Sequence, residues 1–224
     1  PLEAKDREND TALQPAAEAG GNTEYAPLLI QAKAKIETRD NDGRTPLKRA
    51  VEGFKFECVG LLIDAKADLN AKDNAGATAL LDAAQFREID SARLLVAAKA
   101  SLGAKSPDGS TALMHATREH DVECVQLLVD AKADINAKDE NGGTALIRTA
   151  IEGCAECVQL LIREKAGIET KDNDGMTALM HAANHGKTSC AEVLIDAGAD
   201  IEAIDDEGAT ALHWAAADGK TESL

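Results

Sequence analysis

Aromatic residues are scarce in this chain of 224 residues: they make up 2% of it, as one Trp, one Tyr and three Phe. Aromatic side chains contribute the largest buried areas in most protein cores. The apolar residues that are present, 44% of the chain, are mainly Ala and Leu. We therefore expect a core of thin layers that is built from many small contacts.

Long hydrophobic runs and an excess of basic residues are also missing. No apolar stretch approaches the roughly 20 residues that a membrane-spanning helix needs, so we expect no membrane insertion. The 24 Lys and Arg are outnumbered by 40 Asp and Glu, which gives a formal net charge of −16. Proteins that bind nucleic acids or anionic membranes use basic surfaces to displace counterions. The charge balance therefore argues against nucleic acid as a partner.

Cysteine is limited to five residues, and four of them occupy one column, 13 residues after a recurring Thr. These four are Cys58, Cys124, Cys157 and Cys190, with Ser91 in the same column. A column shared with Ser is typical of a small buried filler. Neighbouring helices pack about 8–10 Å apart, beyond the roughly 7 Å between Cα atoms that a disulfide tolerates. We therefore expect Cys157 and Cys190 to stay reduced.

The fifth cysteine gives Cys154-Ala155-Glu156-Cys157 the spacing of a redox motif. The chain lacks the strand and helix context in which such pairs are catalytic, so we interpret the pair as structural. Reduced cysteines favour an intracellular, reducing compartment, with the cytoplasm as the first choice. An organelle stays open, because the chain starts at Pro1 and a presequence can already have been removed.

What the chain contains in abundance is one recurring phrase. Its clearest copy is Asp-Asn-Asp-Gly-Met-Thr-Ala-Leu-Met-His-Ala-Ala at residues 172–183. The Thr of this phrase recurs, first after 34 residues and then five times after 33, at Thr11, Thr45, Thr78, Thr111, Thr144, Thr177 and Thr210. A constant period of this length indicates a stack of repeats.

Each repeat has the pattern of a turn followed by two helices. Gly175 tolerates positive φ and Thr177 can cap a helix, so the segment between Asp172 and Thr177 predicts a turn that leads into a helix. Leu and paired small residues follow at the spacing of one helical face, and a second apolar run such as Leu127-Leu128-Val129 predicts the second helix. Neither helix can bury its apolar side alone, so the repeats must stack.

We predict a single array over residues 1–224. A partial repeat covers residues 1–10, and full repeats start near residues 11, 45, 78, 111, 144 and 177. One extra residue near Gly20-Gly21-Asn22 lengthens the first full repeat. The last repeat, residues 210–224, stops before its second helix, so we expect the native chain to continue beyond Leu224.

These residues resemble the ankyrin repeat. The family pattern of Thr-Pro-Leu-His, two Ala, a Leu-Leu run and Gly-Ala-Asp-Val-Asn is matched most fully by Thr45-Pro46-Leu47, Thr210-Ala211-Leu212-His213 and Gly198-Ala199-Asp200-Ile201. The resemblance covers the whole chain. It implies an all-α ankyrin-repeat solenoid of stacked helix-turn-helix units with β-turn or hairpin tips, in which a concave groove and the tips hold partners.

The family's glycine after the second helix is replaced in five repeats. Lys33, Lys66, Lys99, Lys132 and Lys165 hold this column, and only Gly198 conforms. We therefore expect these Lys residues at positive φ, in a stack that is less stable than a consensus one. A second stripe, six residues before each Thr, holds Lys5, Arg39, Lys72, Lys105, Lys138 and Lys171. Because most of these cations precede an Asp, we interpret the stripe as a solvated rim.

The candidate binding residues lie four, seven and eight positions after each Thr. At about 100° per residue these positions fall opposite the Leu and Ala face of the first helix. The candidates are Arg49, Asp82, Phe86, His115, Arg118, Arg148, Ile151, His181, His185 and Trp214. Phe86, Arg148, Ile151 and Trp214 are the expected anchors, since aromatic, Arg and apolar side chains dominate hot spots. The alternative for Phe86 and Trp214 is that they pack along helix ends.

No motif in the sequence indicates catalysis or a bound cofactor. His181 and His185 have the spacing of zinc ligands, but no third ligand is evident. Gly186-Lys187-Thr188 resembles the end of a phosphate-binding loop, yet His181 stands where that loop needs Gly. We predict no catalytic residue, no metal, no nucleotide or other cofactor, and no disulfide that supports the fold.

We therefore predict a non-enzymatic protein–protein interaction scaffold whose partner is a protein. The alternatives are a structural subunit that is docked permanently in a larger assembly, and the targeting domain of a larger enzyme or channel. Fold alone does not choose among these settings.

The column analysis also predicts which substitutions are costly. Leu113→Ala should lower the free energy of unfolding by about 2–5 kcal/mol, because it truncates the core face of a first helix. Phe86 and Arg148 are expected to lie outside the packed columns, so their replacement by Ala should change this free energy by no more than about 0.5 kcal/mol. Chemical denaturation of the variants measures both. A Leu113→Ala chain as stable as the wild type would contradict the assignment of the core.

Overall fold

Short helices form all the regular structure of residues 4–6, 11–17 and 25–217, which the computed structural model describes. The chain divides into two compact units, Pro1–Pro107 and Asp108–Leu224. The first contains α1 Leu13–Ala17, α2 Tyr25–Gln31, α3 Pro46–Glu52, α4 Phe56–Asp64, α5 Ala79–Gln85 and α6 Ile89–Ala97. The second contains α7 Ala112–Arg118, α8 Val122–Asp130, α9 Ala145–Glu152, α10 Ala155–Arg163, α11 Ala178–Asn184, α12 Thr188–Asp196 and α13 Ala211–Ala217.

The predicted all-α fold of helix pairs is confirmed. The tips between repeats are turns, and no β-strand occurs in the residues described. Most of the predicted partial repeat before Thr11, the extra residue near positions 20–22 and the end of the last repeat lie outside those residues.

An Asp carboxylate builds the tip in most repeats, and it is buried at Asp40, Asp139 and Asp205, whereas Ser106 holds this position in one tip. In the first unit, Asp40 Oδ1 accepts the backbone N–H groups of Asp42 at 2.9 Å and Arg44 at 2.8 Å. In the second unit, Asp139 Oδ1 accepts those of Asn141 and Gly143, both at 2.9 Å. The glycine of the tip has the positive φ that the sequence predicts, between 76° and 79° at Gly43, Gly76, Gly109, Gly142, Gly175 and Gly208.

The Thr after each tip starts the first helix. Thr45, Thr111, Thr144 and Thr177 each accept the backbone N–H three residues on, which confirms their predicted role as caps. The Leu two positions later is buried in the repeats from Thr11 to Thr177, as at Leu47 and Leu113, and small residues follow it at Ala50 and Ala116, whereas Leu212 of the last repeat is exposed. These small side chains allow first helices to pack closely within each unit.

Second helices complete the core from the outer side. Leu62, Leu95 and Leu128 are fully buried at their centres. The column of Cys58, Ser91, Cys124, Cys157 and Cys190 is also fully buried, so its interpretation as a small filler is confirmed.

The stripe of cations is exposed, as expected of a solvated rim, and it also forms a ladder between repeats. Five of its side chains donate to the backbone carbonyl of the residue 33 or 34 positions later. In the first unit the pairs are Lys5 to Arg39 at 3.5 Å, Arg39 to Lys72 at 2.5 Å and Lys72 to Lys105 at 3.0 Å. In the second they are Lys138 to Lys171 at 2.7 Å and Lys171 to Ile204 at 2.6 Å. The acceptor is a backbone carbonyl, which does not depend on the residue type, so the sequence does not indicate these hydrogen bonds.

Left-handed residues end the second helices, as predicted. Lys33, Lys66, Lys99, Lys132 and Lys165 have φ between 62° and 70° in the column where Gly198 has φ 88°. Lys132 and Gly198 each donate to the carbonyl three residues back at 2.9 Å, and the next residue donates to the carbonyl five residues back at 3.0 Å. The two helix ends therefore differ mainly in the presence of a side chain at positive φ.

This pair of positions gives a matched test. Lys132→Gly should raise the free energy of unfolding by about 1 kcal/mol because it relieves the left-handed strain, although it also removes a cation from a helix C-terminus. Gly198→Ala should lower it by about 1 kcal/mol, since a Cβ at Gly198 meets no atom within 4 Å and only the backbone conformation resists it. Urea denaturation measures both variants. If both variants were as stable as the wild type, the positive φ at these helix ends would not affect the free energy of unfolding.

Candidate partner-binding surface

The fourth position after the Thr belongs to the scaffold in the repeats from Thr45 onward, so its assignment there to a solvent-facing column is wrong, whereas Pro15 is exposed. The second oxygen of the tip carboxylate accepts a hydrogen bond from this side chain in both units. Asp40 Oδ2 accepts from Arg49 Nε at 2.7 Å, Asp139 Oδ2 from Arg148 Nε at 2.7 Å and Asp205 Oδ2 from Trp214 Nε1 at 2.8 Å. His181 Nε2 lies 2.7 Å from Asp172 Oδ2 in the same arrangement.

These contacts favour the ionised form of Asp40 and Asp205. Burial opposes the charge of Asp40, but hydrogen bonds from the Arg44 backbone and from the Arg44 and Arg49 side chains outweigh it and lower the pKa of Asp40. The pKa of Asp205 is lowered in the same way, against burial, by backbone N–H groups and by Trp214. Arg148 is therefore the partner of the buried Asp139, and the expectation that it lies outside the packed columns is wrong.

Two further candidates at this position are buried. Asp82 on α5 pairs with Lys48 on α3, whose side chain is fully buried and also lies 3.1 Å from Asp73. Burial raises the pKa of Asp82 to about 6, partly opposed by Lys48 and assisted by Glu52 and Asp73. His115 is buried as well, and its burial, with a contribution from Arg118, lowers its pKa. Neither Asp82 nor His115 is open to a partner without rearrangement.

The seventh and eighth positions are more accessible. In the first unit, Phe86 ends α5 with 42% of its surface exposed. In the second unit, Arg118 is half-exposed and lies 3.6 Å from Asp108, and Ile151 is half-buried. His185 is exposed, with Nδ1 at 2.9 Å from the carbonyl of His181. The candidates therefore separate into a scaffold column and an accessible pair of columns.

The ninth position after each Thr, which lies in the turn between the two helices, was not among the predicted binding positions. Phe54, Arg87 and His120 have φ between 55° and 59° there, and all three are exposed. Gly153 and Gly186 occupy the same column at positive φ. The signal in the sequence was a bulky residue in a column where other repeats have Gly.

The repeats agree with a known family. A family profile described as ankyrin repeats (3 copies) matches residues 2–73, 54–139, 80–174 and 146–224. The chain belongs to the ankyrin-repeat family. Ankyrin repeats generally act as protein–protein interaction modules and are typically non-enzymatic. No curated protein sequence matches the chain.

In the described part of the ankyrin chain, no group of three or more His, Cys, Asp or Glu side chains is arranged to hold a metal ion. Among the same residues, no helix combines the length and hydrophobicity of a membrane span. An open groove of about 340 Å³ near the last tip is lined by Met176, Trp214 and acidic side chains including Asp205, whose oxygens already accept hydrogen bonds.

One cysteine prediction is wrong in this ankyrin structure. Cys154 and Cys157 are joined by a disulfide, whereas Cys58, Cys124 and Cys190 carry free thiols. The column argument compared cysteines of neighbouring repeats, but these two lie in one repeat at the start of α10, with their Cα atoms 5.3 Å apart. That distance is well within the range of a disulfide.

The buried cluster around Asp82 predicts a pH dependence of stability. Its raised pKa means that the folded chain keeps a proton which the unfolded chain releases between about pH 4 and pH 6. The contribution of Asp82 is therefore most favourable below this window and is lost as the pH rises through it. Relative to Asp82→Asn, the wild type should lose up to about 3 kcal/mol between pH 4 and pH 7.

Urea denaturation at several pH values measures this difference. Asp64→Asn, which changes an exposed carboxyl group of the same unit, serves as the control and should follow the wild type. A constant difference between wild type and Asp82→Asn across the window would mean that Asp82 ionises normally in the fold.

Proposed function

We propose that the chain is a non-enzymatic protein-binding module, and that its first unit binds a partner segment through an aromatic surface formed by Phe54, Phe56 and Phe86. The proposal rests on one observation. These are the three Phe residues of the chain, and all are exposed, at 56%, 43% and 42% of their surface. They lie on two consecutive repeats of the first unit. Exposed apolar surface of this kind is typical of interaction sites.

The core of the repeats does not need these aromatic side chains. Leu47, Leu62, Leu80 and Leu95 fill it in the same unit, together with small residues. Each Phe instead lies at an end of a helix: Phe54 in the turn after α3, Phe56 at the start of α4 and Phe86 at the end of α5. A partner that covers them would remove their apolar surface from water, and this burial would stabilise the complex.

The backbone of Phe54 supports a role in binding. A non-glycine residue at φ 58° costs the fold roughly 1 kcal/mol. Arg87 and His120 share this conformation, and at Arg87 a cationic side chain at a helix C-terminus offsets part of the cost. Phe54 has no such compensation. A strained residue whose side chain lies in solvent points to use by a partner.

The surroundings favour a protein segment over a polyanion. Lys55 is half-exposed and Arg87 exposed beside the aromatic surface, and exposed Glu57 and Asp90 are also nearby in sequence. An apolar centre with a rim of mixed charge is typical of protein interfaces. In the second unit we propose Arg118, Ile151 and His185 as a separate, secondary contact surface.

Phe54→Gly distinguishes binding from folding because the two effects have opposite signs. The free energy of unfolding of the variant, measured by urea denaturation, should be about 1 kcal/mol higher, since glycine relieves the left-handed strain. It should bind its partner more weakly by about 1 kcal/mol or more, as expected for a hot-spot aromatic residue. Affinity capture from the native cell extract identifies the partner, and calorimetry with wild type and variant measures the dissociation constants.

Lys66→Gly is the matched control, because it also replaces an exposed residue at positive φ in the same repeat. It should stabilise the chain and leave partner binding unchanged. Phe86→Ala should weaken binding at unchanged stability. A partner that binds Phe54→Gly and Phe86→Ala as tightly as the wild type would rule out the aromatic surface.

A further inference from the structure

We propose that Cys154 and Cys157 form a reversible thiol–disulfide exchange site that reacts with small-molecule disulfides of the glutathione class. Cys154 is the attacking sulfur and Cys157 the resolving one. The site lies at the start of α10 in the second unit, and the proposal does not depend on the binding function.

The position of Cys154 suits both redox states. It is the N-cap of α10, and its Sγ accepts the backbone N–H of Cys157 at 3.3 Å. In the preceding repeat the same position is Asp121, whose Oδ1 accepts the N–H of Cys124 at 3.0 Å. Cys154 thus occupies a site that a carboxylate fills elsewhere, where the positive end of the helix dipole favours a negative charge. A thiolate is stabilised in such a position.

The two sulfurs differ in access. Cys154 retains 8% of its surface, whereas Cys157 has 0% exposed and lies in the filler column. Cys154 is therefore the sulfur that a small disulfide can reach first, and a fully buried partner beside it suits the second step of an exchange.

A purely structural role fits this disulfide poorly. The two residues are three positions apart, and the first turn of α10 already holds them together. Closing so short a loop removes little freedom from the unfolded chain compared with a long loop. The surrounding repeats have similar helix starts without any disulfide, as Asp121 demonstrates.

The exchange is balanced in atoms and electrons. The Cys154 thiolate attacks one sulfur of glutathione disulfide, whose S–S bond breaks and releases one glutathione thiolate. Cys157 then loses its proton and attacks Sγ of Cys154, which releases the second glutathione. Two protein thiols are oxidised, one small disulfide is reduced to two thiols, and the protons pass to the released thiolates. Reduced glutathione reverses the sequence.

Mass spectrometry of the folded chain tests the proposal. The reduced chain is mixed with glutathione disulfide, quenched by alkylation and digested. The wild type should form the Cys154–Cys157 disulfide while Cys58, Cys124 and Cys190 remain thiols. Cys157→Ser should retain glutathione as a mixed disulfide on Cys154. Cys154→Asp, which copies the cap of Asp121, should leave Cys157 at least about ten-fold less reactive.

Circular dichroism shows whether each variant folds. If a variant does not fold, an experiment on the wild-type chain alone still decides the proposal. In buffers of varied glutathione ratio, the wild-type disulfide should open and close at temperatures where the chain stays folded. A disulfide that reduced glutathione opens only on unfolding would overturn the proposal. So would equal labelling of Cys157 in Cys154→Asp and of Cys154 in Cys157→Ser.

Discussion

The hydrogen bonding of a tip carboxylate is the interaction on which most of these repeats depend, and the repeat with Ser106 in this position is the exception. One oxygen of Asp139 accepts two backbone N–H groups of the turn, and the other accepts the side chain of Arg148 on the following helix. A buried carboxylate without such partners would be strongly destabilising. The turn, the start of the helix and the side chain four residues after the Thr are therefore fixed together.

This constraint explains why helical periodicity misjudged the fourth position. A period of 3.6 residues identifies the face of a helix, but it does not reveal that the preceding turn folds back over that face. Arg49, Arg148, His181 and Trp214 look like a variable binding column in the sequence. They share one property, a nitrogen donor that reaches the tip carboxylate. The scaffold selects the donor, whereas the accessible seventh to ninth positions carry no such requirement.

Features that are local and repeated were predictable from the sequence. The tip glycines, the Thr caps, the left-handed Lys residues and the buried Cys column each recur, so one column supports the same inference several times. Features that occur once or use the backbone were not predictable. The Cys154–Cys157 pair is a single departure inside one repeat, and the cation ladder has acceptors that carry no side-chain signature. Phe54 is recognisable only when its column is compared with Gly153 and Gly186.

The cation ladder also bears on how such a chain can change during evolution. Lys72 and Lys138 each bond to a main-chain carbonyl of the next repeat, so the bond does not depend on which amino acid the neighbour carries there. A carboxylate partner would have to be inherited together with its cation. A main-chain partner accompanies every repeat of the same backbone geometry. Gene segments that encode single repeats can therefore be duplicated, deleted or recombined without a compensating substitution in the neighbouring repeat.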